Sequence, residues 1–206
     1  MTAPKRLNIG SGKDFQPEFL NVDINDHWAP DLVADVSGEF PPSNAVETRR
    51  FGKIRIEPGS FDQIIANDVL EHVADLVRTM TNCLNLLRIG GTFDILVPYD
   101  LSYGAWQDPT HVRAFNERSW LYYTDWHWYL GWAEARFKVA NSEYLLSPFG
   151  QQLMQRGATL DQVAMAPRAV DSMRVRLEKV ALSDAERKFM ADTEAQRLAR
   201  HAERAT

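Results

Sequence analysis

Three short segments end in residues suited to holding a polar ligand: Leu7-Asn8-Ile9-Gly10-Ser11-Gly12, Asn21-Val22-Asp23-Ile24 and Ala34-Asp35-Val36. The first is an apolar run entering a glycine turn, where missing Cβ atoms let a ligand approach the backbone. The second closes on a carboxylate whose two acceptor oxygens match the two hydroxyls of a ribose. The third places another acceptor, Asp35, where it can receive an adenine amino group. Each signal is weak alone, because glycine turns and strand-ending aspartates are common turn formers. In succession they point to one ligand rim, since adjacent strands of a doubly wound sheet bring their carboxyl ends to a common edge. A dinucleotide fits less well: Phe15 stands where the fingerprint wants a third small residue, and Asp23 arrives well before the usual spacing of roughly 20 residues. Adenosine linked to an amino acid, with no pyrophosphate, is the better candidate.

A second set of residues can move protons. His72 lies one turn after Asp68 on a predicted helix, and Asp108 and His111 fall in Trp106-Gln107-Asp108-Pro109-Thr110-His111-Val112-Arg113. All three are candidates for taking a proton from a reacting hydroxyl or ammonium group. His72 serves equally as a structural histidine bonded to a neighbouring loop, and Asp108 as a cap on the turn at Pro109. Beyond them Phe115, Trp120, Tyr122, Tyr123, Trp126, Trp128, Tyr129 and Trp132 crowd one stretch. Such rings line a pocket, a lid or an interface, and suit a cation or a stacked sugar. Tyr99, Trp106, Arg113 and Trp126 are the candidate substrate contacts. The histidines show no helical ligand spacing with a third ligand nearby, and Cys83 is the one cysteine, so no metal site is expected.

The elements that must position these residues read as α/β. Strands are predicted over Arg6–Ile9, Phe19–Asp23, Leu32–Val36, Phe61–Ala66 and Phe93–Val97, with two more around Phe137–Val139 and Met173–Val180. The apolar spacing of Val69, Val73, Leu76, Met80, Leu84 and Leu87 predicts a helix over Asp68–Arg88, capped by Asp68 and Glu71 and ended by Gly90-Gly91. The expected fold is a Rossmann-like, doubly wound, mostly parallel sheet of about seven strands with an antiparallel C-terminal strand, in one domain over residues 1–206. Residues 39–59 form an insertion carrying Arg49, Arg50, Lys53 and Arg55, read as a solvated hairpin or loop or, alternatively, as an anion contact. Residues 99–132 form the aromatic acceptor or lid region. Residues 183–206 form a charged terminal helix that opens with a capping box at Ser183 and Glu186.

With 206 residues, 45% hydrophobic and 25% charged, the chain has the balance of an ordinary globular domain. A net charge of -5 opposes the field that nucleic-acid backbones require. No apolar run reaches the roughly 18 residues of a membrane span, and a lone cysteine fits a cytoplasmic location. A homodimer through the terminal helix stays open.

The succession Leu-Asn-Ile-Gly-Ser-Gly, Phe-Leu-Asn-Val-Asp-Ile, Ala-Asp-Val, Gly-Ser-Phe-Asp-Gln-Ile-Ile-Ala-Asn-Asp-Val-Leu-Glu-His-Val and Leu-Leu-Arg-Ile-Gly-Gly-Thr-Phe resembles small class I S-adenosylmethionine-dependent methyltransferases, in family order from Leu7 to Phe93. The resemblance implies S-adenosylmethionine as cofactor. It also implies that Gly10, Ser11 and Gly12 cradle the methionine part, Asp23 with Ile24 beside it the ribose, Asp35 and Val36 the adenine, and Asn67 the amino-acid end. It places a Glu-His pair at Glu71-His72 and an Asp-Pro-Thr-His segment on the acceptor side, with His111 ranked ahead of His72 as base. Asn8 departs from the pattern, standing where an acidic residue is frequent. The implied reaction is methyl transfer to an oxygen or nitrogen of a small molecule, a saccharide or secondary metabolite. A macromolecular acceptor and a non-catalytic donor-binding protein are the alternatives.

Overall fold

Strands form where short, β-branched or aromatic runs have both faces covered. In the computed structural model, which describes residues 4–204, β1 (Arg6–Ile9), β2 (Leu20–Asp23) and β3 (Leu32–Val33) are followed by a hairpin of β4 (Val46–Thr48) and β5 (Gly52–Ile54). Next come β6 (Phe61–Asn67), α1 (Leu76–Leu86), β7 (Leu87–Pro98) and the short α2 (Gly104–Gln107). Two 3-10 segments, Glu117–Tyr123 and His127–Leu130, precede β8 (Ala135–Leu146), α3 (Pro148–Gln155), α4 (Leu160–Ala164), β9 (Val170–Ala181) and α5 (Asp184–Arg204). One seven-stranded sheet runs β3-β2-β1-β6-β7-β9-β8. The pairs from β3 to β7 are parallel, and β9 inserts antiparallel between β7 and β8. This is the expected Rossmann-like sheet with its antiparallel last strand. Leu7, Ile9, Leu20, Val22, Ile64, Phe93, Phe137 and Val175 are fully buried in it.

The predicted helix over Asp68–Arg88 is shorter than its apolar spacing suggests. Asp68 takes a left-handed φ of 53°, and residues 69–75 form a turn and loop. Asp75, not Asp68, caps α1, accepting from the Arg78 amide at 2.9 Å. The cause is tertiary: the Arg113 guanidinium donates to the carbonyls of Leu70, Val73 and Ala74, which a continuous helix would have used internally. Nor does Gly90-Gly91 end the helix. Both glycines lie inside β7, where a Cβ on Gly91 would meet the Arg88 carbonyl oxygen at 2.9 Å and that of Asp62 at 3.2 Å. β3 stops at Val33, because Asp35 turns the chain by accepting from the amide and hydroxyl of Ser37.

The insertion is a hairpin, and two of its arginines, Arg49 and Arg50, bond back to the chain around β2. Arg50 grips the buried Asp31 carboxylate with Nε at 2.6 Å and Nη2 at 2.7 Å, and also donates to the carbonyls of Pro17 and Phe19. Arg49 donates to the Pro30 carbonyl and pairs with Asp26. Burial alone would raise the Asp31 pKa, but the bonds from Arg50 and Asn21 outweigh it and hold the carboxyl below its usual range. Of the four basic residues, Arg50 alone is half-buried; Arg49, Lys53 and Arg55 are exposed.

Candidate active site

The parallel strands deliver their carboxyl ends to one rim, as the order of β1, β2 and β3 requires. Gly10 and Gly12 turn there with φ of 61° and 40°. Asp23 is fixed by two backbone donors, with Oδ2 accepting from the Gly12 amide and Oδ1 from the Asn25 amide, each at 2.8 Å. Both oxygens keep a lone pair free. Asn8, at the position where an acid is frequent, has both protons of its amide nitrogen used inside the fold: Nδ2 donates to the Asp14 carbonyl and to Asn21 Oδ1. That buried amide pair shapes the Ser11–Phe19 connection, which contains no helix.

A cleft of about 360 Å³ opens beside this rim, lined by Gly10, Asp23, Ile24, Ala34, Asp35, Val36, Ser37, Asp68, Val69, His72, Val73 and Ala74. Its size falls in the range of roughly 300–1,000 Å³ for small-molecule sites. The cleft suits an adenosyl amino acid on three counts. Its wall carries the Asp23 carboxylate beside apolar Ile24, Ala34, Val36, Val69 and Val73. A Cβ at Gly10 would lie 2.5 Å from the Val69 side chain, so the close approach depends on glycine. The Ser11 hydroxyl beside it is buried without a hydrogen-bond partner. Of the predicted donor-site residues, Gly10, Asp23, Ile24, Asp35 and Val36 line the cleft. Ser11, Gly12 and Asn67 lie outside its lining, and Asn67 Nδ2 donates to Asp14 Oδ2 at 2.7 Å.

Asp68 and His72 also line a second cleft of about 480 Å³, together with Glu71, Tyr103, Asp108 and His111. The three predicted proton-transfer residues therefore converge. His72 and His111 stack edge to face with ring centroids 4.5 Å apart. His111 Nδ1 lies 3.0 Å from the Ala105 carbonyl, an acceptor only, so this nitrogen carries the proton and donates. Thr110 Oγ1 donates to Asp108 Oδ1 at 2.7 Å and hence accepts from His72 Nδ1 at 2.9 Å. Bonds from Thr110 hold the Asp108 carboxyl below its usual range. These partners assign the lone pair to Nε2 in both rings.

Glu71 is the residue that periodicity concealed. Read from spacing as half of a helix cap, it is 1% exposed, and neither carboxylate oxygen has a hydrogen-bond partner. Burial pushes its pKa up to about 7 and also raises that of Asp68. A carboxylate oxygen of Glu71 and one nitrogen from each of His72 and His111 lie within 4.8 Å of one another. Linear spacing offered no such trio; the return of the chain through residues 99–113 assembles it.

The predicted substrate contacts do not gather here. Tyr99 is buried, donating its hydroxyl to Glu117 at 3.0 Å. Arg113 is spent on the 68–75 loop carbonyls. Trp106 is exposed with Nε1 bonded to the Asp100 carbonyl, and Trp126 packs edge-on against Tyr122. All four lie outside the lining of both clefts. Of the aromatic stretch, Phe115, Trp120, Tyr123 and Trp132 are core, while Tyr122, Trp126, Trp128 and Tyr129 are exposed, with Trp128 against Phe189 of α5.

Comparison with known proteins agrees with this geometry. Residues 7–95 match the family model of a methyltransferase domain. The fold is similar to that of an S-adenosylmethionine-dependent methyltransferase from Archaeoglobus fulgidus, at 15% identity, TM-score 0.53, covering 84% of this chain and 85% of that one. It is also similar to a chain in a Haloferax volcanii complex containing the Trm112 methyltransferase activator, at 14% identity, TM-score 0.52, covering 86% and 82%. A third similar structure is the cyclase SpnF, at 13% identity, TM-score 0.51, covering 85% and 75%. No curated protein matches the chain by sequence. Residues 7–95 thus match a methyltransferase domain, within a sheet whose fold is shared with an S-adenosylmethionine-dependent methyltransferase.

Proposed function

We propose that residues 1–206 act as one catalytic unit that methylates an oxygen or nitrogen of a small molecule, a saccharide or secondary metabolite. The observation that carries this reading is the meeting of two clefts of small-molecule size across Asp68 and His72. When bound, S-adenosylmethionine supplies a sulfonium methyl, which an acceptor lone pair takes as the carbon–sulfur bond breaks and its electron pair stays on sulfur. The chain's part is to align and desolvate. Asp23 holds the ribose hydroxyls, the apolar wall from Ala34 to Val36 takes the adenine, and Gly10 to Gly12 with Asn67 flank the amino-acid end. His111 Nε2 or His72 Nε2 accepts the proton of a hydroxyl or ammonium acceptor, with Asp108 orienting His72 through Thr110.

No helix among the described residues is long and apolar enough to cross a membrane. The single cysteine is buried and free, which fits a reducing cytoplasm. The exposed rings of Tyr122, Trp126, Trp128 and Tyr129 favour, as a second reading, a macromolecular acceptor or a second copy of the chain at that face. Labelled donor and purified protein, offered small-molecule, peptide and nucleic-acid fractions, separate the readings. Label in small molecules is the expected result. Label confined to macromolecules overturns it, and no release of S-adenosylhomocysteine with any fraction leaves a non-catalytic donor-binding protein.

A further inference from the structure

Glu71 poses a problem that the methyl-transfer reading leaves open. A buried carboxylate is ordinarily satisfied by hydrogen bonds or a paired charge. Glu71 is 1% exposed with both oxygens unpartnered, yet it lines a cleft and stands beside two imidazoles. Those imidazoles are prepared in a particular way. Each has its Nδ1 proton tied to an acceptor, His111 to the Ala105 carbonyl and His72 to Thr110, which is tied in turn to Asp108. That arrangement fixes the tautomer with Nε2 unprotonated, the outer-shell pattern that orients metal-ligating histidines.

We infer that Glu71, His72 and His111, all in the lining of the second cleft, form a binding site for one divalent first-row transition cation, such as zinc or cobalt. Two nitrogens and one carboxylate select against magnesium and calcium, which prefer all-oxygen shells. The three ligand atoms lie within 4.8 Å of one another. Bonds of about 2.0–2.1 Å would bring the atoms of a tetrahedral set about 3.3 Å apart, an adjustment within reach of side-chain rotation. Three protein ligands leave a coordination position open toward the cleft, as in sites that take a substrate oxygen. Asp68 and Asp108, also in the lining, add negative charge that favours a cation.

The consequence for chemistry rests on the methyl-transfer reading. A cation there would hold an acceptor hydroxyl against the donor cleft and lower its pKa. The histidines would then be ligands and not proton acceptors, the hydroxyl proton would pass to the Asp108 carboxylate or to solvent at the cleft, and the acceptor would be an oxygen compound. Cation binding itself does not depend on that reading.

The test uses the full chain, stripped with chelator and titrated with Co²⁺ while its visible d–d absorption is followed, with Zn²⁺ as competitor. One Co²⁺ per chain is expected, displaced by Zn²⁺ and not by Mg²⁺. Glu71→Gln and His111→Ala should each weaken binding at least about tenfold, and Thr110→Val, which unties His72, by about 10–100-fold. His27→Ala, at an exposed histidine outside this cleft, should leave it unchanged. S-adenosylhomocysteine affinity, measured by calorimetry on every variant, reports whether the fold survives. Absence of stoichiometric Co²⁺ binding by the unaltered chain overturns the site. So does binding that persists in Glu71→Gln and His111→Ala with donor affinity intact. Cobalt capture without methyl transfer to any acceptor would sink the proposed reaction and leave the metal site standing.

Discussion

At the scale of single residues, the proposed ribose contact of Asp23 gives the most direct test of the donor site. Its carboxylate is already oriented by the Gly12 and Asn25 amides, so little ordering remains when a diol arrives. Asp23→Ala should weaken S-adenosylhomocysteine binding by about 1–3 kcal/mol, roughly 5- to 150-fold in calorimetry. Undiminished affinity would show that the ribose lies elsewhere. Asp23 and Gly10 were legible in the sequence because strand-ending residues at a sheet edge have few alternative neighbours. Glu71 was not, because its burial comes from residues 99–113 folding back over it, and nothing within its own segment signals that. Tyr99, Trp106, Arg113 and Trp126 misled for the opposite reason. Aromatic and basic side chains suggest contacts, but here backbone carbonyls and core rings consume them.

The elements carry the next set of consequences. The hairpin of residues 46–54 owes its seat to the ion pair of Arg50 with Asp31, whose carboxylate side chain is 1% exposed. Arg50→Ala would leave that charge buried and under-compensated, costing about 3 kcal/mol in urea unfolding, and Asp31→Asn added to it should recover part of the loss. At α5, Glu186 accepts from the hydroxyl and amide of Ser183 and pairs with Arg136. The Ser183 bonds, with Arg136 adding, lower its pKa from the ordinary 4.5 to about 2. A depressed carboxyl stabilises the fold fully above its unfolded value and loses that contribution as pH falls toward its folded one. Glu186→Gln should therefore be less stable by about 1 kcal/mol at neutral pH. Thermal melts should show the gap closing as the solution is acidified from 4.5 to 2. This capping box was readable because its partners are three residues apart. The start of α1 was not, because Val69 and Val73 keep helical spacing while Arg113 takes the carbonyls a helix would need. Apolar periodicity records which side chains face the core, and a loop can present that face too.

Across the whole molecule, a mostly parallel sheet with a common ligand edge was legible in the succession of glycine and acid at three strand ends, while β9 and β8 extend beyond the short apolar runs that announced them. Because the donor cleft draws on β1, β2, the turns after β3 and the 68–74 segment, ligand there should brace much of the fold. S-adenosylhomocysteine at about 100 times its Kd should add about 2.7 kcal/mol. That corresponds to roughly 5–11 °C in Tm for a chain of this size, and a flat melting temperature would argue against binding across those strands. The partition between the clefts has its own implication. Asp68, held in a left-handed kink, and His72 belong to both chambers, so the wall is one loop thick. Whatever fills one chamber presses on the other. Thermodynamic reciprocity then requires that any tightening of acceptor by donor be returned in equal measure, so the order in which the two ligands are added should leave the final occupancy the same while changing the rate at which it is reached.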